Sequence, residues 1–277
     1  MNTYYFETIR DLSDEYSMSR PFMDVSCDPH MHRQMEILYV ISGQCKAQIN
    51  DTSMILTDNQ MAIADSFDIH AWQRIGDCNS EYLIFPYHSL ASFMEAKNGR
   101  RLKTNFILDE ALGLQFKMIL NLIRKNAQSS NKMIVEGLTK AILGMLLDNI
   151  ELERQTTSNQ RLLMNEILDY IDQNFMNDLT LEKTAAHFAY SKYYFSKLFN
   201  QLIHCHFENY INMVRTQNVL NLVQNKKRSI TDAILESGFS SVPTFYRYFK
   251  QRYSCSIKQY LKKQNQTVQP FLLHYAK

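Results

Sequence analysis

Two sets of side chains in this sequence have types and spacing suited to chemistry. The first set occurs twice. TLEKTAAHFAYSKYYFSKLF at 180–199 and SITDAILESGFSSVPTFYRYFK at 229–250 follow one pattern. Leu181 aligns with Ile230 and Ala185 with Ile234 at an offset of 49. Phe195 aligns with Phe245, Lys197 with Arg247, Phe199 with Phe249 and Tyr210 with Tyr260 at an offset of 50. The second copy therefore carries one extra residue in its turn. Each copy reads as helix, turn, helix. In the first, Tyr194, Phe195, Leu198 and Phe199 are spaced as anchors, which leaves Tyr193, Ser196 and Lys197 on the outward stripe, with Lys192 at the helix start. In the second, Phe245, Tyr248 and Phe249 anchor, while Pro243, Tyr246, Arg247 and Lys250 face out. Arg can grip guanine in bidentate fashion, and Lys more often meets phosphate. Pro243 donates nothing but suits a helix start. This is the chemistry of reading double-stranded DNA, and two such helices can lie on one duplex.

The second set is His30, His32 and Glu36, with His70 farther along. If residues 30–40 form one strand, His30, His32, Glu36, Leu38 and Val40 share a face. The spacing resembles the first motif of cupin barrels. Two imidazoles and a carboxylate, joined by a histidine from another strand, form a set that can ligate a metal. They can equally form a metal-free polar pocket, in which His30, His32, Glu36, Tyr39, His70 and Trp72 hold a small molecule. An inert, filled barrel is the third alternative. The reading adopted is the pocket, with no metal and no cofactor.

These residues need elements to position them. Residues 22–88 read as short strands. The β-rich run 35–41 ends at the turn signal Ser42-Gly43, and 44–49 alternates with Cys45, Ala47 and Ile49 on one face. Further strands fall at 54–56, 61–64, 70–74 and 81–85, a spacing that suggests a small barrel or sandwich. From 109 the period becomes helical. Leu112, Phe116, Ile119, Leu120 and Ile123 mark one helix in 109–125; Ile134, Leu138, Ile142, Met145, Leu146 and Ile150 mark another in 133–153. Ile134, Leu138, Ile142 and Met145 form a stripe compatible either with packing on the barrel or with a dimer interface. QTTSNQ at 155–160 reads as a linker. Seven helices follow, at 161–174, 181–188, 192–203, 207–224, 230–236, 242–253 and 257–263. Thr180 and Ser191 sit at N-cap positions, and Ser229 with Asp232 fits a capping box.

Composition bounds the rest. The 277 residues are 45% hydrophobic and 12% aromatic, enough for two packed domains. Residues 156–277 hold 15 Lys and Arg against 8 Asp and Glu, whereas residues 1–155 hold 15 against 20. A basic second half fits contact with a polyanion. Five cysteines form no C-x-x-C pair, which argues against a disulfide scaffold or structural zinc. No signal core and no run of 18 apolar residues is present, so no membrane role and a cytoplasmic location are expected. Nucleophile triads, phosphate loops and H-E-x-x-H are absent. An enzyme is therefore not expected; a metal-dependent cupin enzyme with a DNA-binding tail is the alternative.

From about 161 to 263 the sequence is similar to the DNA-binding domain of the arabinose-regulator (AraC/XylS-type) family of bacterial transcription regulators. Ala185, Ser191, Phe195, Phe199, Gly238-Phe239, Phe245, Arg247, Phe249-Lys250 and Tyr260 carry the resemblance. It implies an α+β protein of two domains: a cupin-like sensor barrel at 1–108, a helical hairpin for dimerisation at 109–154, a linker at 155–160 and a double helix-turn-helix domain at 161–277. It also implies base-reading positions at Tyr193, Ser196, Lys197, Pro243 and Arg247, a small-molecule effector, a homodimer, and an activator that contacts RNA polymerase. Departures stand at His204 and Ser254, where the family has glycine, at Ile257, where it has proline, and at Ile234, where it has alanine.

Overall fold

The computed structural model describes residues 5–7, 17–19, 24–126, 132–154, 159–225 and 228–266. The chain divides into two compact units, Met1–Thr156 and Thr157–Gln269. Most of the expected linker, 155–158, lies outside the described residues.

The first unit is built on strands β1 (Tyr5–Phe6), β2 (Ser17–Met18), β3 (Cys27–Met31), β4 (Met35–Ile49), β5 (Thr52–Leu56), β6 (Met61–Ala64), β7 (His70–Phe85) and β9 (Phe106–Ile107). They join in the order β1-β3-β7-β4-β6-β9, with β2 also on β7 and β5 also on β4. β1 pairs with β3 in parallel; the other pairs are antiparallel. A separate pair joins β8 (Arg100–Leu102) to β10 (Leu152–Arg154).

The Ser42-Gly43 signal does not end a strand. β4 runs through it, and the β4–β7 register shifts between Val40 and Gln44. Gly43 has φ +89, and its amide donates to Asp58 Oδ1 at 2.8 Å. A Cβ there would stand 2.3 Å from the Asp77 carbonyl oxygen, so only glycine lets β7 approach. A register shift of this kind changes which side-chain parity faces inward. Leu38 and Val40 precede it, Cys45, Ala47 and Ile49 follow it, and all five join one buried cluster with Leu56, Ala62, Ala64 and Trp72. Ile37 and Tyr39, of opposite parity, join a second cluster under the helices.

Those helices are α1 (Ala91–Lys97), α2 (Glu110–Asn126) and α3 (Lys132–Asn149). The sequence reading missed α1, which a 3₁₀ turn, Tyr87–Leu90, introduces and which buries Phe93. α2 buries Gly113, Phe116, Leu120 and Ile123. The second helix ends four residues earlier than the expected 153. Leu152–Arg154 is strand because it pairs with Arg100–Leu102, reinforced by Arg101 to Glu153 at 2.6 Å.

The second unit is helical: α4 (Asn159–Asn174), α5 (Leu181–His187), α6 (Lys192–Ile203), α7 (Phe207–Asn225), α8 (Ile230–Glu236), α9 (Val242–Tyr253) and α10 (Ile257–Gln266). Four residues separate α5 from α6 and five separate α8 from α9, so the extra residue lies in the second turn. Hydroxyl caps open the short helices. Thr180, Ser191, Ser229 and Ser241 each accept from the amide three residues on. The capping box differs from expectation. Asp232 meets the Ser229 hydroxyl, which donates to its carboxylate at 2.6 Å, and not the Ser229 backbone.

Helix α7 holds both helix-turn-helix units. Phe207 and Tyr210 meet Phe199 of α6 edge to face at 5.3 and 5.7 Å. Farther along, Val219, Leu220 and Leu222 pack with Ala233, Ile234, Phe239, Phe245, Phe249 and Ile257. Arg215 donates to the carbonyls of Phe175 and Asn177, and Tyr248 donates to Asn209 O.

Candidate functional site

In α6, Phe195, Leu198, Phe199 and Ile203 are buried. Tyr193 is 87% exposed, Lys197 is exposed and Ser196 is half-buried. Together with Asn200, Gln201 and His204 they line one shallow groove along the helix. The last three were not anticipated, although each continues the outward stripe at helical spacing. Tyr194 does not anchor. It is 54% exposed and lies against Tyr190, ring centroids 5.0 Å apart. Lys192 is exposed and ion-paired to Glu182, which ties the start of α6 to α5.

In α9, Phe245 and Phe249 are buried. Pro243 sits in the first turn behind the Ser241 cap. Pro243, Tyr246, Arg247 and Lys250 are all exposed. Each unit thus buries an aromatic face and presents a mixed polar, aromatic and basic stripe to solvent.

The turns explain how the departures at His204 and Ser254 are accommodated. Both residues adopt the left-handed conformation, φ +53 and +54, and close their helices through their own amides. They take the glycine geometry without the glycine. Within the turns, Ala189 of the first unit has φ +58 and Gly238 of the second has φ +84. A Cβ on Gly238 would stand 2.7 Å from the carbonyl oxygens of Phe175 and Met176. Ile257 is fully buried, so an apolar residue fills the place of the family's proline.

In the first unit, residues 30–40 are not one strand. His30 ends β3, His32 lies in the link and Glu36 is on β4. The four residues converge all the same, because β7 sets His70 directly opposite His30 on one side and opposite Ile49 of β4 on the other. One donor atom from each of His30, His32, Glu36 and His70 lies within 4.8 Å of all the others, and all four residues are buried. His32 Nε2 is 3.1 Å and His70 Nε2 3.5 Å from Glu36 Oε2. Trp72 Nε1 donates to Glu36 Oε1 at 2.7 Å. Glu7, which no motif or spacing marks, places Oε2 3.5 Å from His30 Nε2. Tyr39 stands apart, on the opposite face of β4, where its hydroxyl donates to Asn59 Oδ1 at 2.6 Å.

Burial alone would raise the Glu36 carboxyl, but its contacts with His32 and His70 outweigh that and hold it well below the usual carboxylate range. Burial opposes charge on His70, yet Glu36 keeps it above the ordinary imidazole value. Burial and then the neighbouring rings push His30 down to about 3.

The expected dimer stripe divides. Ile142 is fully buried in the unit's own core, Leu138 and Met145 are partly buried against it, and Ile134 is 42% exposed. The apolar side chains left open lie instead on α2, as Leu114, Met118 and Leu122, and at the start of α3, as Met133 and Ile134. No helix among the described residues is long and apolar enough to cross a membrane.

Comparison with known proteins accounts for both units. An uncharacterised helix-turn-helix-type transcriptional regulator of Staphylococcus aureus is 32% identical over 107 residues, covering 37% of this chain and 14% of the relative. The regulatory protein PocR of Salmonella typhimurium is 33% identical over 107 residues, covering 39% of this chain and 35% of PocR. The chain thus spans about a third or less of the length of these curated relatives. The crystal structure of ToxT from Vibrio cholerae, bound to (E)-4-(8-methylnaphthalen-1-yl)but-3-enoic acid, matches with a TM-score of 0.50 at 14% identity, over 90% of this chain and 97% of ToxT, and shares its two-domain fold. An AraC-like ligand binding domain model matches residues 14–146 and a helix-turn-helix domain model matches residues 184–263. With both domains matched in this order, the chain belongs to the AraC-type family of transcription regulators.

Proposed function

We propose that this protein is a sequence-specific DNA-binding transcription regulator whose first unit receives a chemical signal. One observation carries the reading: two solvent-facing stripes, Tyr193 to His204 on α6 and Pro243 to Lys250 on α9, are held by the single helix α7. Each stripe offers an insertion helix for a major groove, and the second unit is the basic one. Lys197 and Arg247 are the charged groups best placed for phosphate or base edges, with Tyr193 and Ser196 beside them. Pro243 offers no donor at its position, so the second helix should read fewer bases than the first.

The signal is proposed to act by population shift: a small molecule binding in the first unit favours one arrangement of the dimer or of the DNA-reading unit. Homodimer formation through the open α2 stripe, contact with RNA polymerase as an activator, and a cytoplasmic location belong to the same proposal. Catalysis is not part of it.

The test is selection of bound duplexes from a random library by the full-length protein at near-physiological salt. The expected result is a site reading two successive major grooves, roughly 20 base pairs long. Enrichment of half that length would restrict base readout to α6. Failure of Arg247→Ala and Lys197→Ala together to alter affinity or preference would overturn the assignment of these helices.

A further inference from the structure

The buried histidines of the first unit are arranged for something other than packing. Each ring gives its Nδ1 to a main-chain carbonyl: His30 to Asp28 at 2.9 Å, His32 to Gln34 at 3.0 Å and His70 to Asp68 at 2.8 Å. A carbonyl can only accept, so Nδ1 carries the proton in all three rings. That leaves Nε2 as the ligating atom of each ring: those of His32 and His70 lie 3.1 and 3.5 Å from Glu36 Oε2, and that of His30 lies 3.5 Å from Glu7 Oε2. Several imidazole nitrogens gathered with a carboxylate in a buried place are a favourable seat for a cation. A shared proton satisfies one nitrogen–oxygen pair; one divalent ion is met by all four donors together.

We propose that His30, His32, Glu36 and His70 bind a first-row divalent transition metal ion. The donor set supports this choice. Imidazole nitrogen with a single carboxylate suits iron, cobalt, nickel or zinc, and not calcium or magnesium, which take oxygen. Spacing supports it too. An ion about 2.0–2.2 Å from each donor separates the donors by roughly 3 to 4.4 Å, and the observed group spans no more than 4.8 Å, with closest approaches of 3.1 and 3.5 Å. The surroundings are those of a metal centre. Backbone carbonyls fix the three tautomers, and the Trp72 indole holds the other carboxylate oxygen, so that Oε2 faces the rings. Ala64 stands opposite Glu36 on β6, and Ala47 stands opposite Trp72 on β4, both in the buried cluster that includes Trp72. The inference does not depend on the regulator reading, since it concerns an ion measured directly on the protein.

The experiment is titration of full-length, chelator-treated protein with cobalt(II), followed by visible absorption and by thermal unfolding. The expected result is one cobalt per chain at micromolar concentration, ligand-field bands, and a higher melting temperature. Glu36→Gln and His70→Gln are each expected to weaken binding more than 10-fold, and Trp72→Phe about 10- to 100-fold, as loss of an orienting partner does. Circular dichroism checks that each variant is folded. X-ray absorption on cobalt-loaded wild type needs no variant and is expected to count three imidazoles. Absence of binding at millimolar cobalt, affinity unchanged in folded Glu36→Gln and His70→Gln, or a bound ion without imidazole ligands would each overturn the proposal. No DNA-binding measurement enters this test, so a failed operator search leaves it intact.

Discussion

His204 and Ser254 hold left-handed backbone with side chains that pay steric strain there. Ala189 does the same inside the first turn, where the second unit has Gly238. Replacing His204, Ser254 or Ala189 with glycine is expected to raise stability by up to about 1 kcal/mol each, and by a sum of the three when combined, since the sites are apart. Thermal unfolding of the full chain would show this as a rise of a few degrees; no rise would mean that lost contacts offset the relieved strain. The reverse holds at Gly238, where Ala must clash with two carbonyls and should destabilise by about 1–3 kcal/mol. At DNA, Arg247→Ala is expected to lose about 1–3 kcal/mol and to relax preference at one base pair, measured by titration on matched and mismatched sites. The side chains of the recognition stripes were legible from helical period alone, because their neighbours at i+3 and i+4 are large and aromatic. Glu7 was not legible, since nothing near it in sequence marks a partner on β3.

Elements were readable where caps and period agree. The bounds of α6, α8 and α9 follow from Ser191, Ser229 and Ser241 at one end and from a left-handed stop at α6 and α9. Strands were readable as runs but not as lengths. Ser42-Gly43 has the composition of a turn and the structure of a register shift, and only the tertiary approach of Asp77 distinguishes them. Likewise Leu152–Arg154 continues a helical pattern and becomes strand because β8 is there to pair with it. Gly113 marks a third such contact: a Cβ would lie 1.7 Å from the Asn59 carbonyl oxygen, so α2 touches the β5–β6 turn. Gly113→Ala must push the helix away and is expected to lower the first unit's unfolding free energy by about 1–3 kcal/mol, followed by denaturant titration. An unchanged midpoint would show that α2 docks elsewhere.

At the scale of the whole molecule, the uneven charge has a measurable result. A basic reading unit gathers phosphates, so the operator affinity should fall steeply with salt, and Lys197→Ala should reduce the slope of log affinity against log salt by about one. Leu138, Ile142 and Met145 have the same spacing whether they face a partner or their own core, and Ile142 lies buried in that core with Leu138 and Met145 packed against it. The open side chains Leu114, Met118 and Leu122 recur every four residues on α2. Leu114→Glu with Met118→Glu is expected to leave the fold intact and to convert a dimer to a monomer in sedimentation at micromolar concentration; a wild-type monomer would remove the dimer from the proposal.

Helix α7 sets a length and a phase. Its 19 residues extend about 28 Å, and each residue turns the axis by about 100°. α6 is fastened at the first turns of this rod, through Phe207 and Tyr210, and α9 along it, from Asn209 to Leu222, so their relative placement is set by positions counted in residues. One added residue would advance the far reader by only about 1.5 Å but would swing it by more than a quarter turn. Two grooves in fixed phase could then no longer be met together, although every base-contacting side chain remained. Under the proposed role, substitution on α6 and α9 would change the bases read, while the spacing between the two readers would stay set by the residue count of α7.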